Sequence, residues 1–304
     1  MSRPARLSYP RSALVAISLV VLSALGLSGC GDAAGDSDDA GLSVVASFYP
    51  LHYAVERVGG NEVEVTNLTK PGAEPHDLEL APQDVAALSD ADLAVYLADF
   101  QPAVDDALAS SDTHTLDVSD AADLSLHDED GATDPHFWLD PLRLADVADA
   151  IAAELSSVSP QSAATFEENA ADLRADLVEL GASIDKGLAR CDSRLLVTSH
   201  TAFGYLADSY GLEQVGLTGL TPDSEPTASD LAEITDFVSA NDVTTIFYEA
   251  LVSPDVAEAV AGATGADTAM LDPIEGLTDD SAGDNYVEVM QSNLAALREG
   301  LGCS

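Results

Sequence analysis

Short runs of branched and apolar residues alternate with stretches of helical spacing along most of this chain. Residues 43–48 (SVVASF), 62–68 (EVEVTNL) and 93–97 (LAVYL) read as strands, the second by strict alternation and the third as a buried run. Residues 115–118 add a short fourth strand. Helical patterns fall between them, over 51–58 with Gly59-Gly60 as the stop, over 82–88 and over 104–109. Residues 119–135 are polar, acidic and contain glycine, which predicts a loop.

Two longer helices follow. The first spans 141–155, with Leu144, Val147, Ala148, Ile151 and Leu155 on one face. The second spans 160–189, with Ser159 as its N-cap and Pro160 at its first position. Its apolar face carries Phe166, Leu173, Leu177, Leu180, Ile184 and Leu188. Gly181 weakens that helix without ending it. At 1.5 Å per residue it is about 45 Å long, too long for an ordinary crossover and suited to a strut between two lobes. The alternation then returns, with strands at 194–199, 214–217, 244–249 and 267–271 and helices at 202–210, 228–240 and 254–264. A final amphipathic helix carries Tyr286, Met290, Leu294, Leu297 and Leu301. The pattern predicts an α/β protein of two βαβ-rich lobes, 43–158 and 191–304, joined by a backbone helix over 159–190.

The first thirty residues read differently. Arg3, Arg6 and Arg11 precede an apolar run over 13–27, which is short for a spanning helix and fits a secretory signal. The run ends Leu27-Ser28-Gly29-Cys30, which resembles a bacterial lipobox, where the signal is cut before a lipidated cysteine. An uncleaved N-terminal anchor is the alternative. Residues 31–42 (GDAAGDSDDAGL) have the composition of a flexible acidic tether. With Cys30 taken by lipid, Cys191 and Cys303 remain as a pair, either a disulfide in an oxidising compartment or two buried thiols. A bridge would close a loop of about 110 residues and contribute roughly 4–5 kcal/mol in the chain-entropy limit, from which native-state strain subtracts.

Charge narrows the partners. The chain carries 54 acidic residues against 11 basic ones, and hydrophobic residues make up 46 %. The three leading arginines all precede the first acid, Asp32, so 8 basic residues face 54 acidic ones beyond Cys30. A polyanion would be repelled, which excludes direct nucleic-acid binding. The apolar content is enough for a real core.

Catalytic signatures are missing: there is no phosphate loop, dinucleotide fingerprint, nucleophile elbow, HExxH or CxxC. The informative chemistry is histidine. His76 lies in PGAEPHDLEL, His136 in DPHFWLDP and His200 in VTSHTAFG, while Glu275 lies in LDPIEGLT. Each falls in a loop by a strand end or helix start, where open α/β sheets place their ligands. Three imidazoles and a carboxylate suit tetrahedral Zn²⁺, whereas Mn²⁺ prefers more oxygen.

These blocks, together with SFYPLHYAVERVGG and FYEALVSP, resemble the solute-binding lipoproteins of zinc ABC transporters, over nearly everything from Ser43 to Cys303. The resemblance implies a bilobed solute-binding fold, two α/β lobes on one long rigid helix with the metal between them. It carries metal ligands onto His76, His136 and His200, and a carboxylate onto Glu275, with Asp272 or a water as rivals. Manganese members place a carboxylate where His200 stands. The implied role is a non-enzymatic zinc receptor, lipid-anchored on the outer face of the cytoplasmic membrane, monomeric, and partnered by an ABC permease. This chain departs from the family in its loop before DPH, which holds His127 among acids instead of a histidine-rich run, with His114 upstream. Both read as solvated residues, and His52 as packing or surface. Glu249 ends a strand beside the cleft, either behind a ligand or structural; Trp138, the one tryptophan, reads as hinge packing. A zinc hydrolase is a second reading, for which no general base or substrate pocket is legible. An adhesin with incidental metal is a third, cell adhesion being a role open to the family.

Overall fold

The computed structural model describes residues 41–128, 131–222 and 226–304. The leader, Cys30 and most of the tether lie outside the described residues. Among those described, no helix is long and apolar enough to cross a membrane.

The N-terminal half runs β1 (Leu42–Ala46), α1 (Tyr49–Gly59), β2 (Val63–Asn67), α2 (Pro82–Asp90), β3 (Leu93–Tyr96), α3 (Pro102–Ala109), β4 (Thr115–Asp117) and α4 (Ser119–Ala122). Two long helices follow, α5 (Pro141–Val158) and α6 (Ala163–Leu188). The C-terminal half runs β5 (Leu195–Thr198), α7 (Gly204–Tyr210), β6 (Glu213–Gly216), α8 (Ala228–Ala240), β7 (Thr245–Tyr248), α9 (Asp255–Thr264), β8 (Asp267–Met270) and α10 (Tyr286–Gly300).

Each half builds one parallel four-stranded sheet, ordered β2-β1-β3-β4 and β6-β5-β7-β8. The two orders are the same, so the second half repeats the topology of the first. Val44 pairs with Val65 on one side and Leu93 on the other, and Val197 pairs with Val215 and Ile246. Parallel strands covered on both faces need apolar residues on both, and the sequence supplies them. Val44 and Leu196 face the central core, while their neighbours Val45 and Val197 face satellite cores under α2–α3 and α8–α9. The central core is shared: Val44 and Ala46 of the first sheet belong to the same cluster as Leu196 and Phe247 of the second.

α6 runs through that core. Its 26 residues give about 39 Å, and Phe166, Leu173, Leu177, Leu180, Ile184 and Leu188 are all buried. It packs on α1 and α5 from the N-terminal half and on α7 and α10 from the C-terminal half. Residues 40–304 accordingly form one unit. Burying each such side chain contributes about 1.5–3 kcal/mol against leaving it in water.

Several local expectations change. Leu42 already belongs to β1, paired with Val63. Ser159 makes no side-chain cap bond; its N–H closes α5 on Leu155, and a short 3₁₀ turn at Pro160–Ser162 leads into α6. Of the two long helices, the one with a side-chain cap is α5, where Asp140 Oδ1 accepts from Leu142 N. The 119–135 segment is also more ordered than its composition suggests, since it holds α4 and an antiparallel bridge between His127 and Thr133. Cys191 and Cys303 form a disulfide across 112 residues.

Candidate metal centre

The site assembles where loops leave the carboxyl ends of the strands. His76 comes from the Pro-rich loop after β2, His136 from the segment after β4, His200 from the turn after β5 and Glu275 from the turn after β8. The order of each sheet reverses beside β1 or β5, and open α/β sheets present ligand crevices at such points. His136 and His200 are fully buried, Glu275 is 1 % exposed, and the His76 side chain is nearly buried.

Four donor atoms converge. His136 Nε2 lies 3.3 Å from His76 Nε2, 3.4 Å from His200 Nε2 and 3.1 Å from Glu275 Oε1. Glu275 Oε1 lies 3.3 Å from His76 Nε2 and 3.4 Å from His200 Nε2. All four lie within 4.8 Å of one another. A tetrahedron with bonds of about 2.0–2.1 Å has edges of about 3.3–3.4 Å, and five of the six separations here are close to that value, so the cluster could hold one zinc-sized ion.

The groups behind the histidines fix which nitrogen faces inward. Asp134 Oδ1 accepts from His136 Nδ1 at 2.7 Å and from the His136 backbone N–H at 2.9 Å. Glu249 Oε1 does the same for His200, at 2.7 Å and 3.1 Å. A proton held on each Nδ1 leaves the Nε2 lone pair pointing at the common centre. Among the described residues no carboxylate backs His76; its ring packs edge-on to Phe100, 4.7 Å between centroids. A cleft of about 300 Å³ opens there, lined by His76, Phe100, Leu124, Pro135 and Leu220.

Protons compete for the same lone pairs. Burial opposes charge on His200, but Glu249 and Glu275 outweigh it and raise its pKa to about 10. His136 is also raised, because Asp134 and Glu275 overcome its burial. His76 goes the other way, lowered chiefly by burial. Burial pushes the Glu275 carboxyl up, yet hydrogen bonds from His136, His200 and His76 hold it well below the usual range.

The remaining candidates lie outside this cluster. Asp272 shapes the loop: Oδ1 accepts from Ile274 N at 2.8 Å and Oδ2 from Ser281 Oγ at 3.0 Å. His114 pairs with Glu154 at the surface, His127 Nδ1 meets Ser125 O, and His52 sits against Glu56. Sequence reasoning missed Asp134. The signal was present in Asp-Pro-His, because an aspartate two residues ahead can close an Asx turn onto the histidine N–H. It also missed Gly204, where a Cβ would stand 2.4 Å from Asp134 Oδ2, so only glycine lets the carboxylate sit there.

Known proteins carry the same plan. The family described as zinc-uptake complex component A, periplasmic, matches residues 44–300. The zinc-binding lipoprotein AdcA of Streptococcus pneumoniae is 35% identical over 306 residues, covering 94% of this chain, which spans 60% of AdcA. The high-affinity zinc uptake system protein ZnuA of Bacillus subtilis is 31% identical over 310 residues, covering 95% of this chain and 96% of that protein. The structure of the laminin-binding protein Lmb of Streptococcus agalactiae, described as bifunctional with adhesin and metal transporting activity, superposes with a TM-score of 0.79 at 34% identity, over 86% of this chain and all of Lmb.

Proposed function

The chain belongs to the ZnuA family of zinc-uptake components, whose members are solute-binding proteins of transport and not enzymes. From that premise we propose that it is an extracytoplasmic receptor that binds Zn²⁺ tightly and delivers it to an ABC-type permease. His76, His136, His200 and Glu275 hold the ion as cargo. The lipid at Cys30 tethers the protein to the outer face of the cytoplasmic membrane, the two lobes meet across 159–190, and the working form is a monomer.

One observation carries the reading: four N/O donors converge, with five of their six separations at 3.1–3.4 Å and the sixth, His76 to His200, no more than 4.8 Å. Three nitrogens and one oxygen fit zinc better than manganese. The hydrolytic alternative needs a water at an open coordination position; the presence of Glu275 as a fourth donor in the cluster supports the receptor reading instead.

Titration with Zn²⁺ and Mn²⁺ by calorimetry, with Trp138 emission in parallel, tests the proposal. One zinc per chain is expected, held far more tightly than manganese. His136→Ala and His200→Ala are each expected to weaken zinc at least a hundredfold. Unchanged affinity in both variants would overturn the ligand assignment.

A further inference from the structure

We infer that Trp138 is a positioning residue that couples the two halves of the site, strapping the Glu275 loop into a turn which its own sequence disfavours. The inference deepens the zinc-site reading above and rests on it.

The loop after β8 is buried from Leu271 through Gly276. Within it Ile274 has φ +57°, in the left-handed region. The other non-glycine residues with positive φ among those described are Asp99, Asp123 and Asp242. Aspartate tolerates this region because its short polar side chain can bond locally; a β-branched residue does not. Such a conformation persists only where the surroundings over-determine it.

Those surroundings are specific. Asp272 Oδ1 accepts from Ile274 N, and Asn293 of α10 accepts from Asp272 N and donates to Asp272 O at 2.9 Å and 2.7 Å. All of these come from the C-terminal half. From the other half, His76 and His136 reach the Glu275 carboxylate, while among the described residues the hydrogen bond to the loop's backbone comes from Trp138, whose indole Nε1–H donates to Pro273 O at 2.7 Å. Trp138 is itself immobilised. It is fully buried, its ring lies 4.9 Å from Phe48 and 5.2 Å from His136, and Tyr286 Oη donates to its carbonyl.

Trp138 therefore stands two residues from one donor of the cluster, His136, and grips the loop two residues from another, Glu275. With the strap in place Ile274 stays left-handed and Glu275 faces the three imidazoles. A movement that breaks the Trp138–Pro273 bond frees Ile274 to leave that region, and Glu275 turns away with it. Presentation of the carboxylate is thus tied to the approach of the two halves.

The test uses Trp138→Phe, which keeps a ring and removes the N–H, in the full chain. Zinc affinity is read by chelator competition, and amide hydrogen exchange of 274–276 is read without metal. W138F is expected to weaken zinc about 10- to 100-fold and to speed exchange of those amides at least tenfold. Glu275→Gln is expected to silence the first effect, so that adding W138F changes affinity less than twofold. Ile274→Gly, which accepts the left-handed turn unaided, is expected to recover at least threefold of the loss. Unchanged affinity and exchange in W138F would overturn the inference. So would an equal loss in the E275Q background, which places the effect on His136 or the fold. If wild type binds no zinc, the receptor reading fails, and the metal-free exchange still judges the strap. Should W138F not fold, Tyr286→Phe loosens the strap from behind and is read by the same criteria.

Discussion

His136 and His200 are built alike: each is buried, each gives Nδ1 to a carboxylate and each turns Nε2 to the centre. That construction makes binding pH-dependent, and the sign follows from the shifts. Glu249 and Glu275 raise His200 to about 10, so on the proposed ligand set zinc competes with a proton there in the neutral range. Affinity should therefore rise with pH, by about one decade per unit for each proton displaced. The zinc-free fold behaves oppositely. A raised His200 contributes stability that is fully present below its unfolded value of 6.5 and is lost as pH climbs towards 10. The lowered Glu275 contributes stability present above 4.5 and lost as pH falls. The thermal shift on adding zinc is thus expected to grow from pH 6.5 to 9. Melting curves with and without zinc across that range check it, and a flat shift would refute the coupling.

At the level of elements, α6 and α10 end side by side. Cys191, just past α6, is bridged to Cys303, just past α10. Backbone bonds repeat the join, with Asp192 N and Ser193 N donating to Leu301 O and Ser304 N to Arg190 O. The bridge closes a long loop and mainly constrains the unfolded chain. Cys191→Ser with Cys303→Ser is expected to cost about 2–4 kcal/mol in denaturant unfolding. Zinc affinity should stay within about threefold, because the backbone bonds keep the helix ends paired and the site lies at the opposite, carboxyl ends of the strands. A loss of zinc binding that parallels the loss of stability would show that the bridge shapes the site. The helices themselves follow from spacing. α8 was legible to its ends, whereas the start of α6 was not: Pro160 opened a 3₁₀ turn and the Ser159 side chain capped nothing.

For the whole molecule, the formal charge of −43 dominates. Among the described residues three arginines are already engaged: Arg57 with Asp176, Arg143 with Asp123 and Asp140, Arg174 with Asp146 and Asp149. Most acids are left to repel one another, which destabilises the compact state. Raising salt from 0.1 to 1 M shortens the screening length from about 10 to about 3 Å. The melting temperature should rise over that interval in potassium chloride, by several degrees. A fall would mean that the ion pairs outweigh the repulsion. The same field concentrates cations near the surface without choosing among them, so selection of zinc rests on the donor set.

The alternation of strands and helices and the even cysteine pair were legible along the chain, since each is a local matter of periodicity, residue type or turn chemistry. His76, His136, His200 and Glu275 could be picked out because their flanking prolines, aspartates and serines mark loops at strand ends, and the resemblance to zinc solute-binding lipoproteins implied their role as ligands. Three things waited for the fold. Asp134 and Glu249 became orienting groups only when a strand end and an Asx turn aimed them at Nδ1. Asp272, the rival donor in the sequence, stands outside the four-donor cluster with its oxygens bonded to Ile274 and Ser281. The contact of Trp138 with Pro273 spans 135 residues. Composition and spacing act over a few residues, whereas the distances between donors depend on how two sheets and a 26-residue helix pack into one core.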